Sequence, residues 1–137
     1  MKNTITIETI VFAPINKIWE FWTQPKHIKK WNNASVDWHT TKSENDLKIG
    51  GRFLSRMEAK DDSFGFDFEG TYTAVEKNQL ISYVLDDNRK VKSNFTSLGA
   101  NETKIITIFE AETTNPVEMQ KGGWQAILDN FKKYTEA

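Results

Sequence analysis

The sequence of 137 residues contains no cysteine and only three prolines. Without cysteine the chain has no disulfide bond, no thiolate metal ligand and no cysteine nucleophile, so its stability must come from packing. The same absence fits a reducing compartment, and we expect a cytoplasmic protein. With few prolines, those present are informative, because each marks the start of a predicted helix.

Charge of one sign is also lacking, because 18 basic residues are balanced by 19 acidic residues and leave a net charge of −1. A strongly basic surface is the usual electrostatic signature of nucleic-acid binding, so no nucleic-acid partner is expected. No stretch approaches the roughly 18 apolar residues that cross a bilayer, and Glu8 and Pro14 interrupt the N-terminal apolar stretch. We therefore expect no signal peptide and no membrane insertion.

Aromatic residues are plentiful by contrast, with nine Phe, five Trp and three Tyr. In the segment FGFDFEGTYTAV, the alternate positions are Phe64, Phe66, Phe68, Gly70, Tyr72 and Ala74. A period of two predicts a strand with one apolar face and one polar face. Fully burying a large apolar side chain is worth roughly 1.5 to 3 kcal/mol, so these rings need a core, a partner or a ligand.

The order of predicted elements indicates an α+β fold. Residues 4–12 alternate and predict a strand, and the segments PINKIWEFW and PKHIKKW predict two short helices. Residues 36–111 keep a period of two almost throughout and predict six strands separated by turns, one of them at Asn88. The last segment predicts a helix of roughly 21 residues, with Asn115 as N-cap and Pro116 in the first turn.

These elements are expected to form a single domain over residues 1–137, with a curved seven-stranded antiparallel sheet around the C-terminal helix. One helix buries a stripe about 100° wide, whereas a twisted sheet offers a broader concave face. That face is either filled by interlocking side chains or left partly open as a ligand cavity. The side chains expected to line such a cavity are Trp22, Trp31, Trp38, Phe53, Ser55, Phe66, Phe68, Tyr72, Tyr83, Phe95, Trp124 and Leu128.

Two adjacent glycines, Gly122 and Gly123, lie in the first half of the C-terminal helix. Each costs about 1 kcal/mol relative to alanine inside a helix. Their presence indicates close approach of backbone, of a partner or of a ligand.

Patterns for catalysis and metal binding are weak. Asp37 and His39 share one face of a predicted strand, as a carboxylate that orients an imidazole would, but Trp38 is expected to point inward and the pair outward. His27 is expected to be exposed among lysines on a short helix. With only two histidines, far apart, and no cysteine, we predict no metal site and no cofactor, and we assign no catalytic residue.

Five segments together resemble the helix-grip fold of the START/SRPBCC superfamily, and within it the family named after the activator of the Hsp90 ATPase. They are APINKIWEFWTQPKHIKKW at 13–31, IGGRF at 49–53, FEGTYTAVEKNQLISYVLDD at 68–87, TKIITIFEAE at 103–112 and GGWQAILDNFKKY at 122–134. The resemblance implies a sheet wrapped around the last helix with an apolar cavity between them. Similar domains bind lipids or other hydrophobic molecules, cyclise polyketides or assist chaperones, and fold alone does not choose among these.

Binding of a hydrophobic or aromatic small molecule in this cavity is the leading hypothesis. The alternatives are an interaction module that docks on a chaperone and an enzyme that resembles polyketide cyclases or aromatases. The enzyme would need a polar group with a perturbed pKa inside the cavity, and the docking module an exposed apolar patch. The chain is expected to be a monomer or a homodimer.

Overall fold

The computed structural model describes residues 3–137, in which seven strands and three helices follow one another in the predicted order. The strands are β1 (Thr4–Val11), β2 (Trp38–Asn45), β3 (Arg52–Ala59), β4 (Gly65–Glu76), β5 (Leu80–Leu85), β6 (Lys90–Gly99) and β7 (Glu102–Glu110). The helices are α1 (Ile15–Thr23), α2 (Pro25–Trp31) and α3 (Val117–Glu136). All strands form one antiparallel sheet in the order β1-β7-β6-β5-β4-β3-β2, which confirms the predicted α+β fold.

Three tight turns of the sheet contain a residue in the left-handed conformation. These residues are Asp62 (φ 63°), Asn78 (φ 64°) and Asn88 (φ 73°). Asn and Asp tolerate this conformation better than most residues because their short polar side chains bond to the local backbone. The predicted turn at Asn88 is therefore confirmed.

Two β-bulges change which side chains face the core. The register of β4 and β5 shifts between Tyr72 and Ala74, and an extra residue in one strand reverses the alternation beyond it. Val75, opposite buried Ile81, consequently packs on the core in place of Ala74, whose predicted inward position is wrong. A similar shift in β2 lies between Thr40 and Lys42.

The helices α1 and α2 form a corner that is joined to β2. The indole Nε1 of Trp31 donates to the carbonyl of Phe21 at 2.9 Å, which connects the two helices. The hydroxyl of Thr40 donates to the carbonyl of Asn32 at 2.6 Å and holds the end of α2 on the sheet edge. Pro14 precedes α1 as its N-cap.

The start of α3 differs from the prediction, because Pro116 is the N-cap and no side chain caps the helix. Asn115 lies one residue earlier and donates its backbone N–H to the carboxylate of Glu112 at 2.8 Å. The amide of Gln120 accepts the backbone N–H of Glu112 and donates to its carbonyl, at 2.9 and 3.0 Å. The loop is thus held on the first turn of α3. Within residues 3–137, no helix is both long and apolar enough to cross a membrane.

The closely packed core lies on β1, β6 and β7, beneath α1 and the C-terminal half of α3. Its apolar side chains without solvent exposure are Val11, Ile18, Ile105, Phe109 and Phe131. The helices cover this side of the inner face.

Candidate functional site

A cavity of about 540 Å³ lies between the inner face of the sheet, α3 and the helical corner. This volume falls within the range of roughly 300 to 1,000 Å³ that is typical of small-molecule sites. Its wall includes Phe53 and Phe68 from the sheet, Trp124 and Leu128 from α3, and Trp22 from α1. The inner face is therefore open on one side rather than filled throughout.

The wall contains the side chains expected there, with one exception. They are Trp22, Trp31, Trp38, Phe53, Ser55, Phe66, Phe68, Tyr72, Tyr83, Trp124 and Leu128. The exception is Phe95, which lies in the packed core with ring centroids 5.6 Å from Trp19 and 5.3 Å from Trp22. It occupies the part of β6 that α1 covers, so its ring meets helix side chains instead of open space.

Several polar wall residues were not predicted from the sequence, among them Asn45, Arg89 and Gln120. Counted from Trp38, strand alternation places Asn45 on the outer face, and the bulge between Thr40 and Lys42 turns it toward the cavity. Arg89 and Gln120 lie in a turn and at the start of a helix, where strand alternation gives no information.

The aromatic side chains of the wall contact one another edge to face. Phe53 lies 4.7 Å from Tyr83 and 5.8 Å from Phe68, and Phe68 lies 6.0 Å from Trp124, all between ring centroids. A Cβ atom on Gly70 would lie 3.0 Å from the ring of Phe53 and 2.6 Å from a backbone oxygen. Gly70 therefore interrupts the aromatic row because the Phe53 ring lies over it.

One group of polar wall atoms is satisfied within the protein. The hydroxyl of Tyr72 donates to Oδ1 of Asn45 at 2.5 Å, and Nδ2 of Asn45 donates to the carbonyl of Thr23 at 2.6 Å. The hydroxyls of Ser93 and Thr107 bond to each other at 2.7 Å. Burial raises the pKa of Tyr72 well above its usual value, which keeps this phenol protonated.

A second group of polar wall atoms has no protein partner within residues 3–137. The buried hydroxyl of Ser43 belongs to it, and Ser43 lies directly opposite Ser55 in the β2–β3 ladder. The hydroxyl of Tyr83 belongs to it as well, and burial raises the pKa of this phenol. A buried polar group without a partner is costly, so the Ser43 hydroxyl provides a hydrogen-bonding position for a bound molecule.

The two glycines of α3 are not explained by packing. A Cβ atom on either Gly122 or Gly123 would meet nothing within 4 Å, so close approach of protein backbone is excluded. Gly123 lies on the cavity wall, whereas Gly122 is exposed to solvent. At Gly123 the missing side chain leaves room inside the cavity.

The remaining chemical candidates lie elsewhere. Asp37 and His39 are exposed, on the outer side of the β2 edge. His27 is not exposed as expected: its side chain is 16% exposed, its ring stacks on Phe21 at 3.9 Å, and its Nδ1 bonds to the hydroxyl of Tyr134 at 2.7 Å. Among the described residues, no three histidine or carboxylate side chains are grouped as a metal site would require.

Three aromatic side chains form a patch at the cavity opening, which we name the rim patch: Trp38, Phe64 and Phe66. The ring of Trp38 lies 6.0 Å from Phe64 and 5.9 Å from Phe66. Phe64 is 55% exposed and Phe66 42% exposed, although both were predicted on the apolar face of β4. Phe64 precedes β4, so the sheet provides it with no inner neighbour.

The curved sheet, the long helix it surrounds and the cavity between them define a helix-grip domain of the START/SRPBCC type. The profile of the family described as "Activator of Hsp90 ATPase homolog 1-like protein" matches residues 12–136, and the chain belongs to this family. A comparison with curated proteins finds no match.

Solved structures of similar proteins agree with this assignment. An AHSA1-like protein from Aeromonas hydrophila is 47% identical, with a TM-score of 0.91, 98% of this chain covered and 92% of that one. A protein from Cytophaga hutchinsonii is 50% identical, with a TM-score of 0.84 and coverage of 97% and 92%. A protein from Chromobacterium violaceum shares the fold at 21% identity, with a TM-score of 0.87 and coverage of 98% and 99%.

Proposed function

We propose that this protein binds a hydrophobic or aromatic small molecule in the cavity between the sheet and α3. The observation that carries the proposal is the open space of about 540 Å³ with an aromatic wall and few polar groups. Apolar surface that faces such a space gains free energy when a ligand replaces water there, about 25 cal/mol for each Å² removed from water.

The polar groups of the wall favour binding over acid–base catalysis. Burial raises the pKa values of Tyr72 and Tyr83, so both phenols stay protonated near neutral pH and serve as hydrogen-bond donors. A general base needs a pKa near the working pH, and neither phenol has one.

The first experiment searches directly for a bound ligand. Native mass spectrometry of freshly purified protein should show a retained adduct, and thermal melting across fatty acids, flavonoids and polyketide-like aromatics should identify binders. A ligand at about 100 times its Kd stabilises the folded protein by about 2.7 kcal/mol, which raises the melting temperature by several degrees. Absence of both an adduct and any shift across the panel contradicts the proposal.

A pair of variants in α3 then tests where the ligand binds. Gly123→Leu places a side chain into the cavity, whereas Gly122→Leu places the same side chain in solvent. Leucine is a better helix former than glycine, so both variants should remain folded. We expect Gly123→Leu alone to weaken binding, by about tenfold or more, because the leucine occupies ligand space. Equal affinities of the two variants would place the ligand elsewhere.

A second function, docking on a chaperone, is supported by the rim patch and by the family description. Exposed aromatic clusters are typical of interaction sites. If the rim patch binds Hsp90, the protein should change the ATPase rate of purified Hsp90, and Phe64→Ser should remove that effect without changing ligand affinity. An unchanged ATPase rate with the wild-type protein would exclude this function.

A further inference from the structure

The cavity wall contains one arginine, Arg89, in the turn between β5 and β6. Its side chain is only 21% exposed, although most arginines of small proteins extend into solvent. The turn is fixed on both sides, because Leu85 donates its N–H to the carbonyl of Arg89 at 2.8 Å and Arg89 donates its own N–H to Asp87 at 3.2 Å. Arg89 is therefore held beside the cavity by the hairpin itself.

Asp87 uses only part of the guanidinium group. Nε of Arg89 donates to Oδ2 of Asp87 at 2.8 Å, and Asp87 is 54% exposed on the solvent side. A guanidinium carries five N–H donors, and within residues 3–137 the terminal nitrogens of Arg89 make no further hydrogen bond. The ion pair thus orients Arg89 and leaves its planar pair of terminal nitrogens available.

Tyr83 provides a second donor on the same cavity wall, since it lies opposite Val91 in the β5–β6 hairpin, two residues after Arg89. Burial, followed by the nearby Tyr72, raises the pKa of the Tyr83 phenol, and the positive charge of Arg89 opposes this rise. The phenol therefore stays protonated, and its hydroxyl has no partner among residues 3–137. A cation and a neutral donor on the wall of one apolar cavity can together bind an anionic oxygen group.

Two other polar residues of the wall, Glu112 and Gln120, are engaged by the loop before α3. The carboxylate of Glu112 accepts the backbone N–H groups of Thr114 and Asn115, at 2.9 and 2.8 Å. The amide of Gln120 bonds to the same loop. Asp87 pairs with Nε of Arg89, and Glu112 and Gln120 are engaged by the loop, so among residues 3–137 the terminal nitrogens of Arg89 have no hydrogen-bond acceptor and are available to an anionic group of a bound molecule.

We infer that the molecule bound in this cavity is an apolar carboxylate, and that Arg89 and Tyr83 bind its carboxylate group while the aromatic wall holds the apolar part. The inference rests on the proposed function and narrows it to acidic ligands. Planar guanidinium and carboxylate groups match each other in two parallel hydrogen bonds, which favours a carboxylate over an alcohol with the same skeleton. The serine hydroxyls of the wall are uncharged and do not select between the two.

The test compares pyrenebutyrate with pyrenebutanol, which share the ring system and chain and differ in the head group. Fluorescence titration of the wild-type protein should show the acid binding about tenfold more tightly, as charge-assisted hydrogen bonds are worth a factor of that order. Arg89→Met should remove this preference by weakening the acid alone. Tyr83→Phe should reduce the preference and leave alcohol binding unchanged.

Arg52→Met is the matched control, because Arg52 forms a similar pair with Asp86 at 2.9 Å on the outer face of the sheet. It should leave both affinities unchanged. If the wild-type protein binds acid and alcohol equally, or if Arg89→Met weakens both equally, the inference is wrong while the proposed function stands. If the wild-type protein binds neither probe, both fail.

Discussion

The aromatic side chains in the two halves of the sheet differ in how completely they are buried. In the packed half, formed mainly by β1, β6 and β7, Phe109 of β7 is without solvent exposure, and so is Phe131 of the facing helix α3. In the hollow half, formed mainly by β2–β5 with Ser93 and Thr107 at its border, the rings of Phe53 and Phe68 are only partly buried and face the cavity. Both halves show the same alternation of apolar and polar residues.

The difference is set by the helices, since α1 packs on β6 and β7, α3 packs along β1, and α2 meets the sheet at β2. A stripe of one helix cannot cover a curved sheet of seven strands. The contrast teaches that alternation determines which residues face inward, whereas helix placement determines whether they meet protein or open space.

The largest expected effect compares one phenylalanine from each half. Phe131→Ala should lower the free energy of unfolding by about 3 to 5 kcal/mol, because its ring lies 4.9 Å from Trp22 and 5.0 Å from Trp31 in a closed core. Phe68→Ala should cost about 1 to 2 kcal/mol, since part of its surface already faces the cavity. Urea denaturation measures both, and equal losses would show that the hollow half is filled in solution.

An intermediate effect compares the two phenols of the cavity wall. Tyr72→Phe leaves Oδ1 of Asn45 without its donor and should cost about 1 to 2 kcal/mol. Tyr83→Phe removes a hydroxyl without a protein partner and should leave stability nearly unchanged. Thermal denaturation of the two variants without ligand provides the comparison, and a larger loss for Tyr83→Phe would overturn the assignment of satisfied and free polar groups.

The smallest effect is a pH dependence at the helical corner. Burial, followed by the nearby Lys26, lowers the pKa of His27 below 6.5, against a rise caused by Glu20. The unfolded chain therefore binds a proton more readily, and stability present above pH 6.5 is lost as the pH falls toward the folded pKa. His27→Gln should weaken this dependence, measured by melting temperature between pH 5 and about 7.5. His39→Gln, at an exposed position, is the control.

Much of the fold could be predicted from the sequence, because each element carries a local signal. The alternation of β4 and the apolar stripe of α3 are properties of neighbouring residues. A β-bulge carries no such signal. The alternation therefore predicted that Ala74 faces inward, whereas Val75 packs on the core. The cap of α3 was misplaced by one residue because a proline replaced the expected side-chain cap.

The candidate site was predicted less completely than the fold. The aromatic wall residues could be predicted from the alternation along strands and from the apolar stripes of helices. The position of Phe95 beneath α1 could not, because it depends on how the helix lies on the sheet. The burial of His27 depends on Tyr134, which is 107 residues away in sequence. Arg89 was missed because it lies in a turn, where neither strand alternation nor a helix stripe indicates which residues line the cavity.

An NMR titration tests the hollow half most directly, by recording backbone amide chemical shifts as pyrenebutanol is added to the wild-type protein. If the cavity admits the ligand, the largest changes should occur at Ser55, Tyr83 and Gly123, while Ile5 and Ile105 of the packed half stay nearly unchanged. Saturable binding with shifts confined to the rim patch or to the outer face of the sheet, or no shifts at all, would contradict a cavity open to ligand.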